Sequence, residues 1–283
     1  MSKKIVTNQQ QSIQTLIYTF RFLNSKQIQK FLNHKDHRRI NSWLKDLTEK
    51  GYLERDFTPI YGTQTKPAVY NLASKGRSLI RKTYSKALPK YLERLRDDKD
   101  RSKAFRIKCQ IIADLYLILF EDKIVEFVKE LSEILTKGIT LKYNEFQFFT
   151  PAFLADLDFV LLPKFKPDAY VYRRTDDGVN HTSLFVLDAY IPRMMLRYSI
   201  QNIFAILNDE YWEDESINTL QFYFICPNNV IIVYLRRLLP SFLEKYYGGK
   251  EIIFHFATRN QLFKKQKNKT KSTEWITISS KDY

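Results

Sequence analysis

Asp168 and Asp188 are the residues of this chain whose setting most invites chemistry. Asp168 follows Pro167 and opens Pro167-Asp168-Ala169-Tyr170-Val171-Tyr172, which reads as a strand. Asp188 falls near the end of Ser183–Tyr190, which reads as the hairpin partner across a polar turn at 175–180 containing Asp177-Gly178. Two acids on adjacent strands can point into one cleft and hold a divalent cation, as metal-assisted phosphodiester cleavage requires. Such a cleft also needs a group that polarises the attacking water. Two residues after Asp188 stands Tyr190, which carries no positive charge at neutral pH. Arg193 follows, but a guanidinium stays protonated and cannot serve as a base. The same aspartates equally suit strand entry and hairpin closure. No cofactor is therefore expected, and Mg2+ or Mn2+ only if Asp168 and Asp188 act as metal ligands in cleavage.

A second constellation is made for recognition rather than catalysis. Ile40, Trp43, Leu44 and Leu47 recur at i, i+3, i+4, i+7, the stripe of a helix buried on one side. The other side carries Arg38, Arg39, Asn41, Ser42 and Lys45. A helix fits the major groove of duplex DNA, where Arg bonds guanine edges, Asn bonds adenine edges, and Lys and Ser meet phosphates. Thr63, Gln64 and Lys66, at a hairpin tip, would reach the adjacent backbone or minor groove. His34 and His37 flank the turn before this helix, where they suit phosphate contact or capping better than zinc binding.

The elements that must position these side chains are legible around them. Ile13, Leu16, Ile17 and Phe20 mark a first helix; Asn24-Ser25 offers an N-cap to a short second one carrying Ile28, Phe31 and Leu32. Asp36 caps the third, and Gly51 stands where a left-handed residue would end it. Tyr52–Arg55 and Lys66–Leu72 read as two strands of a hairpin, and a fourth helix begins near Ser74. Three helices, a two-stranded wing and a helix make the order of a winged helix-turn-helix. Residues 1–88 are assigned to this DNA-binding domain and 89–104, dense in both signs of charge, to a solvated connector. Residues 105–283 form a second domain of mixed α/β type, opened by a buried helix through Phe105, Ile111 and Leu119. Its strands are expected at 158–162, 167–172, 183–190, 220–225, 251–256 and 275–278, with helices at about 194–207 and 230–246. The basic segment 259–271 is either a solvated loop or a source of non-specific phosphate contacts.

Charge sharpens the division. The chain has 283 residues, about two domains' worth, with 46 Lys and Arg against 31 Asp and Glu, and a pI near 9.6. Of these, 18 basic and 5 acidic residues lie in 1–90, leaving the rest nearly balanced. Clustered positive charge creates a local field that a phosphate backbone feels, so a polyanionic partner is expected of the first domain. With 44% apolar or aromatic residues the chain can build a core, and wholesale disorder is excluded. No apolar run reaches the roughly 18–20 residues that span a bilayer; Ile111–Phe120 is broken by Asp114. Met1-Ser2-Lys3-Lys4 leads into Asn and Gln rather than an apolar signal segment, so a cytoplasmic protein is expected, with no membrane partner. Two cysteines make neither a disulfide framework nor a zinc site, and the seven glycines are not arranged as a phosphate-binding loop.

Taken in order, these stretches resemble the replication-relaxation family of plasmid and phage proteins. The likeness is carried by Phe22-Leu23-Asn24-Ser25-Lys26-Gln27-Ile28, Arg39–Leu47, Lys66–Leu72 followed by Gly76, and Lys166-Pro167-Asp168-Ala169 followed by the strand to Asp188. It implies a duplex-DNA-binding protein of a mobile element, acting in replication or DNA relaxation or its control, with itself as a dimer or other replication proteins as further partners. Its second part is similar to restriction-endonuclease-like domains of the PD-(D/E)XK type, here in degenerate form. Where the family shows Glu-x-Asp and the nucleases a lysine, this chain has Asp188-Ala189-Tyr190. A metal-dependent endonuclease using Asp168 and Asp188 is the alternative, and a transcriptional regulator of the same element a further one.

Overall fold

The computed structural model describes residues 6–57, 67–84, 89–137, 146–154, 167–176, 178–207, 217–246, 250–264 and 275–282. The chain divides into two compact units, Met1–Thr140 and Leu141–Tyr283.

The first unit begins with helix α1 (Asn8–Phe20), started by a reciprocal cap: Gln10 N–H donates to Thr7 Oγ1 (3.3 Å) and Thr7 N–H to Gln10 Oε1 (2.9 Å). Ile13, Leu16, Ile17 and Phe20 are buried, as their spacing requires. A two-residue strand β1 (Leu23–Asn24) runs into α2 (Ser25–Phe31), where Asn24 and Gln27 form a second capping box. Asp36 caps α3 (His37–Glu49), accepting from Arg38 N–H at 2.8 Å. The helix ends with Gly51 at φ +76, its N–H bonded to Thr48 O while Tyr52 N–H bonds Leu47 O. This paired closure demands a left-handed residue, the role the sequence predicts for Gly51.

Strands β2 (Leu53–Asp56) and β3 (Val69–Leu72) pair antiparallel, and β1 joins the far edge of β3 to give the order β1-β3-β2. The third strand is too short to announce itself by alternation. Helix α4 (Ser74–Thr83) packs closely on this sheet: a Cβ built on Gly76 would stand 2.2 Å from Tyr52 O.

The remainder of this unit departs from expectation. Helix α5 (Pro89–Arg94) and a 3-10 segment (Leu95–Asp100) lead to α6 (Lys103–Leu119) and α7 (Ile124–Lys137). Residues 89–104, expected as a solvated connector, are anchored: Leu92, Leu95 and Asp98 are buried, and Asp98 pairs with Arg21 behind α1. Arg77 donates to Leu72 O and Leu95 O, and Arg106 pairs with Asp56 and donates to Lys99 O. Helix α6, expected to open the second domain, instead packs on α1, α2 and β1. Tyr116 and Phe127 stack at 4.3 Å, and Phe31 lies 5.7 Å from Tyr116 and 5.0 Å from Phe20. A buried stripe reveals that a helix is covered, not which neighbour covers it, so the expected boundary at 104/105 falls inside a compact unit.

The second unit is built on one sheet of strands β4 (Phe146–Phe149), β5 (Ala169–Thr175), β6 (Gly178–Val186), β7 (Ile217–Cys226), β8 (Glu251–Thr258) and β9 (Ile276–Ser279), adjacent in that order. Helix α8 (Pro151–Leu154) follows β4. Strands β4 to β6 form an antiparallel meander, β6, β7 and β8 run parallel, and β9 closes antiparallel to β8. Parallel neighbours require crossovers. Helix α9 (Arg193–Leu207) supplies the first; α10 (Asn229–Leu238) and α11 (Pro240–Leu243) supply the second. A short α12 (Arg259–Lys264) follows β8.

Leu196, Ile200 and Phe204 of α9 and Ile231 and Leu235 of α10 join Phe222, Phe224, Phe254 and Phe256 of the sheet in one hydrophobic core. Strand β6 ends at Val186, four residues short of the expected Tyr190, because 189 and 190 turn toward α9. The expected strand at 158–162 lies outside the described residues, as does 265–271 of the basic segment.

Candidate nucleic-acid interface and the aspartate pair

Helix α3 separates its residues cleanly. Ile40, Leu44 and Leu47 are completely buried, whereas Arg38, Arg39, Asn41, Ser42 and Lys45 are all exposed. Trp43, expected in the core with the other three, is only half-buried. Its indole lies at the surface 5.6 Å from the Arg39 guanidinium and 5.2 Å from the His34 ring. Trp43 therefore supports a surface cation instead of filling the bundle. His34 Nδ1 accepts from Asp36 N–H at 3.1 Å, which makes it a residue of the turn.

His37 does something the sequence did not announce. Its Nδ1 lies 3.2 Å from the Asn41 amide nitrogen, and its Nε2 lies 3.4 Å from Ser25 Oγ, at the start of α2. An amide nitrogen can only donate, so Nδ1 accepts and the ring proton sits on Nε2, directed to Ser25. One Asn41 N–H is thereby used, leaving the other N–H and the amide oxygen for an outside partner. A donor beside an acceptor is the pattern that matches the major-groove edge of adenine.

Beside α3 lies a groove of about 660 Å3 lined by Lys26, His37, Asn41, Lys45, Arg55, Phe57 and Tyr70 among others. Lys26, Arg55, Phe57 and Tyr70 were not singled out from the sequence. They come from α2, from β2 and the residue after it, and from β3, and only the fold brings them alongside α3. The Arg55 guanidinium lies 4.7 Å from the Phe57 ring, and burial holds the Tyr70 hydroxyl above its ordinary pKa against the lowering influence of Arg55.

The nearby acids are engaged: Asp46 accepts from Gln10 and Lys50, Glu54 from Asn71, and Asp56 pairs with Arg106. Lys45 has only an exposed contact to Glu49 at 3.7 Å, a pairing of small worth in water. The surface thus offers cations, amides and hydroxyls, with Glu49 as the exposed carboxylate in the groove lining. Thr63, Gln64 and Lys66 lie outside the described residues.

Asp168 and Asp188 do stand at the same end of the β5–β6 pair. The Asp168 N–H donates to Leu184 O, and its Oδ2 accepts from Val186 N–H at 2.8 Å, extending the ladder by a side chain. Asp188 is exposed two residues beyond Val186, close enough to Arg259 that its charge favours the guanidinium, opposing the burial that pulls the Arg259 pKa down. Tyr190, two residues after Asp188, is 96% exposed. Among the described residues no three of His, Cys, Asp and Glu gather to hold a metal ion, so the pair finds no third carboxylate or imidazole there. Cys109 and Cys226 are both buried, and they form no disulfide. No helix of the described residues is long and apolar enough to cross a membrane.

The replication-relaxation family model matches residues 15–189, more than half of the chain. The chain belongs to the replication-relaxation family. The matched stretch contains α3 with its exposed cations, the sheet strands β1 to β6, and both aspartates. Membership in the replication-relaxation family suggests a role in plasmid replication or relaxation. No curated protein and no solved structure matches the chain.

Proposed function

We propose that the first unit is a winged helix-turn-helix that binds duplex DNA through α3, and that the protein acts on plasmid or phage DNA in replication or relaxation. The observation that carries this reading is the exposure of Arg38, Arg39, Asn41, Ser42 and Lys45 over a fully buried Ile40, Leu44 and Leu47. In it, α3 lies in the major groove, Asn41 is held by His37 for base contact, and the paired strands β2 and β3 form the wing. The family's link to replication and the +15 net charge support a DNA partner.

Fluorescence anisotropy with a labelled duplex tests it. Binding should fall steeply with salt, with a log–log slope of about 0.9 per phosphate neutralised. Replacing Arg38, Arg39 and Lys45 together with Ala should weaken it tenfold or more, since each specific contact is worth about 1–3 kcal/mol. Salt-insensitive binding, or an unchanged triple variant, would rule it out.

For the second unit the reading is a nuclease-like fold that does not cleave. One oxygen of Asp168 accepts from the Val186 amide, and Tyr190 stands where the reaction would need a cation to activate water. Supercoiled plasmid incubated with Mg2+ or Mn2+ should stay intact. Nicking that disappears in Asp168→Ala would establish the metal-dependent endonuclease instead.

A further inference from the structure

Among the described residues, the large exposed apolar side chains are concentrated in one place. Of eight large apolar side chains exposed among the described residues, six lie on α9, α10 or the turn before α9: Tyr190, Met194, Met195, Tyr198, Val230 and Val233. Tyr190 is 96%, Met194 80% and Tyr198 60% exposed. The two helices belong to one layer. They share the core beneath, the Arg193 guanidinium lies 5.6 Å from the Tyr234 ring, and the Tyr234 hydroxyl donates to Arg193 O at 3.2 Å. Helices that pack one face so completely do not leave Tyr, Met and Val on the other face for the sake of folding.

The charge around these side chains narrows what can cover them. Arg193, Arg197, Arg236 and Arg237 are all exposed on the same two helices, and neither helix contains an acid. The one exposed acid of the turn before α9, Asp188, lies close enough to Arg259 for its charge to favour that guanidinium. A second copy docking by the same surface would set these arginines against their equivalents, which is unfavourable. An anionic partner fits. Duplex DNA presents phosphates but hides its base faces inside the stack, leaving the extended tyrosines nothing to lie against. An unpaired strand offers both: phosphates for the guanidiniums, and base faces for Tyr and for the polarizable thioethers of Met.

We propose that the outer surface of α9 and α10, with the turn before α9, binds single-stranded DNA, Tyr190 and Tyr198 stacking on unpaired bases while Arg193, Arg197, Arg236 and Arg237 meet the phosphates. The site is separate from α3 and does not rest on the duplex-binding reading. It would give the protein a hold on a strand that leaves the duplex.

The test is anisotropy of the full chain with labelled oligothymidylate, beside a labelled duplex. Tyr190→Ala and Tyr198→Ala should each weaken oligothymidylate binding about tenfold, the usual scale of one lost stack, and the Phe variants should retain it. Arg197→Glu with Arg237→Glu should weaken it further. Duplex affinity should hold in the tyrosine variants, and oligothymidylate affinity should hold in the Arg38, Arg39, Lys45 triple variant. Oligothymidylate affinity unchanged in all tyrosine and arginine variants overturns the proposal. So does its loss in the triple variant, which would put single-strand binding on α3. Failure to bind oligothymidylate, together with capture of an acidic helical peptide that the same variants abolish, also overturns it and makes the surface a protein-docking site.

Discussion

The α3 surface and the Asp168–Asp188 pair were both expected from the sequence as places where side chains converge, yet they are held together by different things. The α3 residues share one helix, so a 3.6-residue period suffices to put Arg38, Arg39, Asn41, Ser42 and Lys45 opposite the buried Ile40, Leu44 and Leu47. The aspartates sit on separate elements. What each does depends on register: Asp168 is taken up by the Val186 amide, while Asp188 is left in solvent beyond the strand end. A constellation within one element can be read as a surface. One that spans elements can be read only as a possibility until the pairing is known.

The comparison breaks if charge removal on α3 also unfolds the unit. The triple Ala variant should show the largest effect on binding, the tenfold or greater loss of duplex affinity, with an unchanged thermal midpoint in circular dichroism. The platform behind α3 should respond the other way. Asp98→Ala leaves Arg21, whose side chain is 12% exposed, without its carboxylate partner and should cost about 3 kcal/mol in urea denaturation, the low end of the penalty for half a buried pair.

Within the aspartate pair the asymmetry is smaller and equally testable. Asp168→Ala removes the acceptor of a backbone N–H and should cost about 1–3 kcal/mol, whereas Asp188→Ala should leave the midpoint where it is. Equal effects would mean that the two carboxylates share one role after all.

The smallest effect concerns Asp114 on α6, whose carboxyl burial pushes up to about 6 against the lowering influence of Gln27 and Lys30. A raised carboxyl pKa means that the fold prefers the protonated form. Its contribution is therefore fully present below about pH 4 and lost as pH rises through 6. Asp114→Asn should melt higher than the parent at pH 8, with the gap closing toward pH 4. A gap that widened on acidification would show that Asp114 is held as a carboxylate.

Much of the fold was legible, and the misses share one cause. Helices α1, α3 and α9 and strands β7 and β8 lie close to where periodicity and alternation predict them, because each has one face committed to a core. Residues 89–104 read as solvated because charge dominates their composition, yet Leu92, Leu95 and Asp98 tie them down. Trp43 read as core because its spacing matches Leu44 and Leu47, yet it lies at the rim beneath Arg39. His37 was noticed only as a turn residue, since its bond to Ser25 crosses from one helix to another.

The amino-acid sequence by itself determined which helices have an apolar side, where caps and a left-handed glycine stop them, and that positive charge gathers in the first ninety residues. Those are properties of neighbours along the chain. The tertiary structure alone decided that α6 and α7 pack with α1 and α2, that Arg55 and Tyr70 line a groove with α3, and that Asp168 is spent on a backbone amide. Each of those depends on which distant segment arrives to satisfy a face, an edge or a charge, and local spacing carries no record of the partner.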